Sequence, residues 1–264
     1  MSIFTKRGSE AVASATAEKD GGGSALVAFP SGTTLKVRVK SAEDSAEYYG
    51  YSIFKKVNTF VPEKPAERNA KGFITGNPTV WDRAADYYYG LAKKAREAGD
   101  EAAAKEHSDA AYLFKGKPRY LMGFGSLETG EDIVVDLSAK QAKTIIAAIQ
   151  KYAKKLDKIA FELSKSGSST DTAVTLTPIL DMDEDLTDAE RANFAKCGEK
   201  PFDFALFEDC LYVADETEQI KNLVVAGFDI GILGLTLGAG ASTGGTTPDA
   251  TDKPIEISDD DLPF

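Results

Sequence analysis

The chain has 264 residues, 42% of them hydrophobic, and a net charge of −11. Its length allows one large domain, or one domain with long arms, and its apolar content is enough for a real core. Two cysteines, Cys197 and Cys210, and a single histidine, His107, exclude a disulfide framework and a Cys/His zinc site and point to a reducing, cytoplasmic setting. Met1 to Lys19 lacks an apolar core of signal-peptide length. The longest apolar run, Leu223 to Leu237, is interrupted by Gly227, Asp229, Gly231 and Gly234, so no membrane segment is expected.

The acidic average hides a gradient. Residues 1–35 are neutral, residues 36–165 carry +5 and residues 166–264 carry −16. A mildly basic body therefore leads into an acidic final third, the pattern of an interaction tail.

In chain order, residues 1–24 form an N-terminal arm. Ser9 can cap a short helix over Glu10 to Lys19, and Gly21-Gly22-Gly23-Ser24 forms a hinge. Residues 25–237 form the core. Leu35-Lys36-Val37-Arg38-Val39-Lys40 alternates apolar residues with cations, which predicts a strand with one face buried and one basic face in solvent. Tyr51 to Phe60 is predicted as a second strand. Trp81 to Gly99 is a helix capped by Thr79 or Asn77 and ended by Gly99, and Glu101 to Tyr112 continues as another; together they form a helical insertion over about 77–113. Strands are expected over Arg119 to Phe124 and Asp132 to Leu137. Ser138 then caps a helix over Ala139 to Lys158 with Ile145, Ile146, Ile149, Tyr152 and Leu156 on its apolar side. Strands follow over Phe161 to Leu163 and Ala173 to Leu180. Thr187 and Glu190 form a capping box, and Phe202 to Asn222 is predicted as a helix. Residues 238–264 are a Gly/Ala/Ser/Thr linker, expected to be disordered, and an acidic tip. The fold expected is α+β: an OB-fold (Greek-key β-barrel) core with helical insertions. Periodicity is also compatible with a helix-rich α+β domain.

The body interleaves cations with rings. Lys36, Arg38 and Lys40 share a strand face; Tyr48, Tyr49, Tyr51 and Phe54 lead into Lys55, Lys56 and Phe60; Phe114-Lys115-Gly116-Lys117-Pro118-Arg119-Tyr120 repeats the mixture. A single nucleic-acid strand needs both parts, because cations follow its phosphates and rings stack on its unpaired bases. The DNA-binding candidates are Lys36, Arg38, Lys40, Lys55, Lys56, Lys115, Lys117 and Arg119 for phosphates, with Tyr51, Phe54, Phe60, Tyr120 and Phe124 for bases. Trp81, Ala85 and Tyr88 share a helix face that is expected to be core, and one of Tyr87, Tyr88 and Tyr89 must point elsewhere.

The final residues, Asp259, Asp260, Asp261, Leu262, Pro263 and Phe264, form a compact ligand: a ring for an apolar pocket, and carboxylates for a basic rim. This tip resembles the terminal hexapeptide of bacterial and phage single-stranded DNA-binding proteins, and the resemblance implies that it docks replication and repair partners. The organisation is also similar to the T-even-type phage helix-destabilising family, with a basic arm, an OB-fold core and an acidic C-terminal part. Phe4-Thr5-Lys6-Arg7-Gly8-Ser9 resembles that family's arm, which implies self-association along DNA through Lys6 and Arg7. Lys115 to Phe124, the strand over Asp132 to Leu137 and the helix after it resemble its basic-aromatic strand, partner strand and helix. One departure is clear: that family holds zinc in its insertion, whereas residues 70–115 contain no cysteine and only His107. No metal or other cofactor is expected.

A phosphate-binding P-loop is absent, Asp181 to Asp185 lacks the glycine and distal glutamate of a calcium loop, and no nucleophile motif supports catalysis. The expectation is a non-enzymatic, sequence-independent single-stranded DNA binder for phage DNA replication, recombination and repair, acting in the bacterial cytoplasm. The alternatives are an acidic DNA mimic that inhibits a nucleic-acid enzyme, and a sequence-specific duplex binder. The helix from Ala139 carries lysines but lacks the Arg/Asn set that base reading needs.

Overall fold

The alternation around Val37 builds strand β1 (Thr34–Arg38), with Val37 and Val39 sealed in the core. A computed structural model describes residues 25–168 and 171–237 as a mixed α+β fold; the arm with its expected helix, the linker and the tip lie outside the described residues. The predicted strand over Tyr51 to Phe60 is instead a hairpin, β2 (Ser45–Ile53) and β3 (Val57–Pro62). Its turn, Phe54-Lys55-Lys56, contains neither Gly nor Pro. Lys55 takes the left-handed conformation itself, with φ at 58°, so the sequence carried no turn signal there. A small hairpin follows, β4 (Glu67–Arg68) and β5 (Ile74–Gly76).

Helix α1 (Val80–Glu97) starts where Thr79 and Asp82 close a capping box, and the chain turns out of it at Gly99, with φ at 79°. Then come α2 (Glu101–Phe114), β6 (Lys117–Ser126), β7 (Asp132–Ser138) and α3 (Ala139–Tyr152), which Ser138 and Gln141 cap reciprocally. After β8 (Ala160–Ser166) and β9 (Ala173–Ile179) lie α4 (Met182–Asp185) and α5 (Asp188–Cys197), the latter opened by the expected Thr187–Glu190 box. The helix predicted over Phe202 to Asn222 is broken into α6 (Ala205–Glu208), β10 (Val213–Ala214) and α7 (Glu216–Ala226). The Asp203 and Asp215 carboxylates accept backbone N–H groups and start new turns, and Val213 and Ala214 pair with β3.

Eight strands form the large sheet in the order β10-β3-β2-β6-β1-β8-β9, with β7 on the second edge of β6. Strand β6 is the hub. Its first half pairs with β2, its end with β1, and its other edge with β7 along nearly its whole length. Among the described residues no ladder joins β9 to β7, so the sheet is not closed into a barrel.

Four apolar clusters hold these elements among the described residues, the smallest joining Leu127, Ala160, Ile179, Leu186 and Phe194. The first packs α3 (Ile145, Ile149) on Val37, Met122, Phe124, Leu137, Phe161 and Leu163. The second gathers Tyr51, Phe60, Trp81, Phe114, Leu223 and Phe228; the Trp81 ring stands edge-on to Phe60 at 5.3 Å, and its indole N–H donates to the Gln219 carbonyl. Rings of this size, fully buried, each contribute roughly 1.5–3 kcal/mol. The third covers the opposite face of β6, where Phe202 and Phe207 pack on Leu121 and Val134. No described helix is long and apolar enough to cross a membrane.

Candidate nucleic-acid interface

Strand alternation places Pro118, Tyr120, Met122 and Phe124 on one face of β6. The register pairs Glu47 with Tyr120 and Tyr49 with Pro118, so Tyr49 and Tyr120 are diagonal neighbours on that face. Tyr120 closes the rim of the first cluster, and its hydroxyl is pushed up by burial and then by the adjacent Glu47 carboxylate. The Arg68 guanidinium lies 4.0 Å from the centre of the Tyr49 ring. Arg68 is fixed there: its Nη2 donates to Asp82 Oδ1 and to the Tyr51 hydroxyl, each at 3.1 Å, and its Nη1 to the Gly72 carbonyl. Asp82 also accepts from the Tyr51 hydroxyl, the Thr79 hydroxyl and the Thr79 N–H. Burial, followed by the Asp82 charge, raises the Tyr51 hydroxyl well above its ordinary value.

At the start of β6 the chain opens a pocket of about 220 Å³ lined by Tyr112, Lys115, Gly116, Lys117, Pro118, Ser138, Ala139 and Lys140. Lys117 Nζ lies 4.6 Å from the centre of the Tyr112 ring. Gly116 passes so close to the Tyr51 ring that a Cβ there would lie 2.7 Å from it, which is why the two flanking lysines are separated by glycine. Pro118 both lines the pocket and opposes Tyr49, so the pocket and the ring row are continuous.

The structure therefore brings Lys115 and Lys117 to one pocket, and sets Tyr120 in the ring row that meets that pocket at Pro118. Phe54, Lys55 and Lys56 are exposed, with Lys55 Nζ over the Phe54 ring at 5.1 Å. They sit at the hairpin tip five residues beyond Tyr49, roughly 16 Å away at strand rise. The remaining candidates are corrected. Tyr51 and Phe60 are 1% exposed and Phe124 is 0%: they are core rings, because the apolar clusters on both halves of the sheet need them. Arg119 is buried and forks onto Asp136, with its Nε and Nη2 2.9–3.1 Å from the carboxylate oxygens.

The basic face of β1 is partly covered and its cations are engaged within the fold. Lys36 pairs with Glu190 at 3.0 Å, Arg38 donates to the Phe194 carbonyl at 2.8 Å and stacks 4.3 Å from the Phe194 ring, and Lys40 pairs with Asp132 at 2.7 Å. Helix α5 lies across β1 and β6, bringing Glu190 to Lys36, and is admitted by Gly125, whose missing Cβ leaves room for Cys197. The backbone N–H of Thr187 and then Lys36 hold the Glu190 carboxyl below the usual carboxylate range. Trp81 is core as expected; of the three tyrosines after it, Tyr89 is the exposed one. Lys6, Arg7 and Asp259 to Phe264 lie outside the described residues.

Sequence reasoning left Tyr49, Arg68, Tyr112 and Lys140 out of the site. Arg68 lies in Lys64 to Phe73, a stretch with the same basic-aromatic mixture that marked the body, and that signal could have found it. Compared with known protein families, curated proteins and solved structures, the chain matches none of them.

Proposed function

We propose that this protein binds single-stranded DNA independently of sequence, with the strand lying over the Tyr120–Tyr49–Arg68 row and the pocket of Lys115, Lys117 and Lys140. The observation that carries the reading is the continuity, through Pro118, of neighbouring rings with clustered cations. Unpaired bases have π-faces for the rings, and phosphates have charge for the lysines; no base-specific geometry is required. An OB-type core is supported by the strand path β7-β6-β1-β8-β9 with α3 between β7 and β8, which follows a partly open Greek-key barrel. On this reading β2 to α2 are inserted between the barrel's first and second strands. Phe202 and Phe207 cover the outer face of β6 and β7, which moves the binding site to the start of β6.

Partner recruitment through Asp259 to Phe264, self-association through Lys6 and Arg7, and service in phage DNA replication, recombination and repair belong to the same proposal and rest on the sequence resemblance. The test is fluorescence anisotropy with labelled oligo-dT, RNA and duplex DNA over a salt series. Oligo-dT should bind far more tightly than duplex. Its log affinity should fall linearly with log salt, with a slope of about −0.7 for each phosphate neutralised, hence about −2 from the three lysines. Equal duplex affinity, or affinity indifferent to salt, contradicts the proposal.

A further inference from the structure

The β4–β5 hairpin carries Phe73 at its turn, and Phe73 is 67% exposed. The exposure does not come from a slack loop. The Asn69 side chain accepts from the N–H groups of Lys71 and Phe73, the Asn69 N–H donates to the Phe73 carbonyl, and the Gly72 N–H donates to the Asn69 carbonyl. Arg68, at the base of the turn, ties it to Asp82 and to the Tyr49 ring. Gly72, with φ at 78°, presses against Tyr49: a Cβ there would lie 2.7 Å from the Tyr49 hydroxyl. The turn thus places an exposed ring beside the Tyr49 end of the ring row, next to the exposed cation Lys71. Glu67, on the strand below, is the carboxylate of this hairpin and faces Gly76 rather than the turn.

We infer that the β4–β5 hairpin is a further base-stacking element, in which the Phe73 ring takes one unpaired base of a single strand already seated on Tyr49 and Tyr120. The ring, its rigid presentation and the neighbouring lysine fit an unpaired polynucleotide: an aromatic face for a base and a charge for its phosphate. This inference rests on the single-strand reading above, and it is tested separately from it.

Trp81 is the chain's single tryptophan and is fully buried, so Phe73→Trp adds one exposed reporter, and the wild-type titration supplies the Trp81 emission to subtract. The full chain bearing F73W is titrated with oligo-dT while anisotropy and tryptophan emission are read together, and F73A is titrated beside it. The inference predicts that emission from F73W is quenched along the binding curve, and that F73A binds about tenfold more weakly at an unchanged melting temperature. If oligo-dT binds F73W with unaltered emission and binds F73A like the wild type, the hairpin has no stacking role while the proposed function stands. If the wild-type chain does not bind oligo-dT at all, both fall.

Discussion

Asp82 joins the insertion to the sheet, and Asp82→Ala tests that junction. Its carboxylate is almost wholly buried. It accepts from Tyr51 at 2.9 and 3.0 Å, from Arg68 at 3.1 Å, from the Thr79 hydroxyl at 2.8 Å and from the Thr79 N–H at 3.0 Å. Removing it leaves the Arg68 guanidinium buried without its anion, which costs about 3–5 kcal/mol, and dismantles half of the α1 capping box, worth up to about 1 kcal/mol. A loss of about 4 kcal/mol is a large share of the roughly 5–15 kcal/mol that holds a domain together. Urea unfolding followed by Trp81 emission reads it directly, because Trp81 lies within 6.2 Å of the Tyr51 ring in the same cluster. The double variant Arg68→Met, Asp82→Ala removes the stranded cation and should recover part of the loss. A D82A loss below about 1 kcal/mol, or a double variant no more stable than D82A, would refute the reasoning.

Gly123→Ala would place a Cβ no more than 2.7 Å from three atoms of the Phe202 ring, so it should cost about 1–3 kcal/mol by expelling that ring; an unchanged thermal melt would show that Phe202 is not seated there. Tyr48 and Tyr51 are both raised above the ordinary value of 10.0, first by burial and then by Asp136 and Asp82 respectively. Because the folded state keeps these hydroxyls protonated, their contribution is complete below pH 10 and is lost as pH rises beyond it towards the folded values. Tyrosinate absorbance against pH should show these two ionising together with loss of structure; titration of every tyrosine near pH 10 in an intact fold would contradict it. Lys115→Ala with Lys140→Ala should reduce the salt slope of oligo-dT binding by about 1.4; an unaltered slope would place the phosphates elsewhere.

Helix ends were legible because their chemistry is local: Thr79, Ser138 and Thr187 each cap through a residue three positions on. The strand around Val37 was legible from its alternation of apolar residues with cations, and those around Phe124 and Val135 from the turn residues between them. The β2–β3 turn was not, since Lys55 bends without the residue type that announces a bend. Nor was the fate of the β1 cations. Alternation specifies that Lys36 and Arg38 leave the core, but the helix that meets them lies about 150 residues away in sequence, separated by 154 and 156 positions. Ring sorting failed for the same reason. Tyr51 and Tyr49 are identical in local pattern, and only the packing of α1 and the β4–β5 hairpin buries one and leaves the other beside the surface.

The central claim is that rings and cations meet at the start of β6, and the most direct measurement is photocross-linking of oligo-dT to the full chain, with the linked peptides mapped by mass spectrometry. Cross-links are predicted at Tyr49, Tyr112 and Tyr120. Cross-links confined to Lys36 to Lys40 or to residues 181–237, on an oligo-dT bound just as tightly, would contradict it.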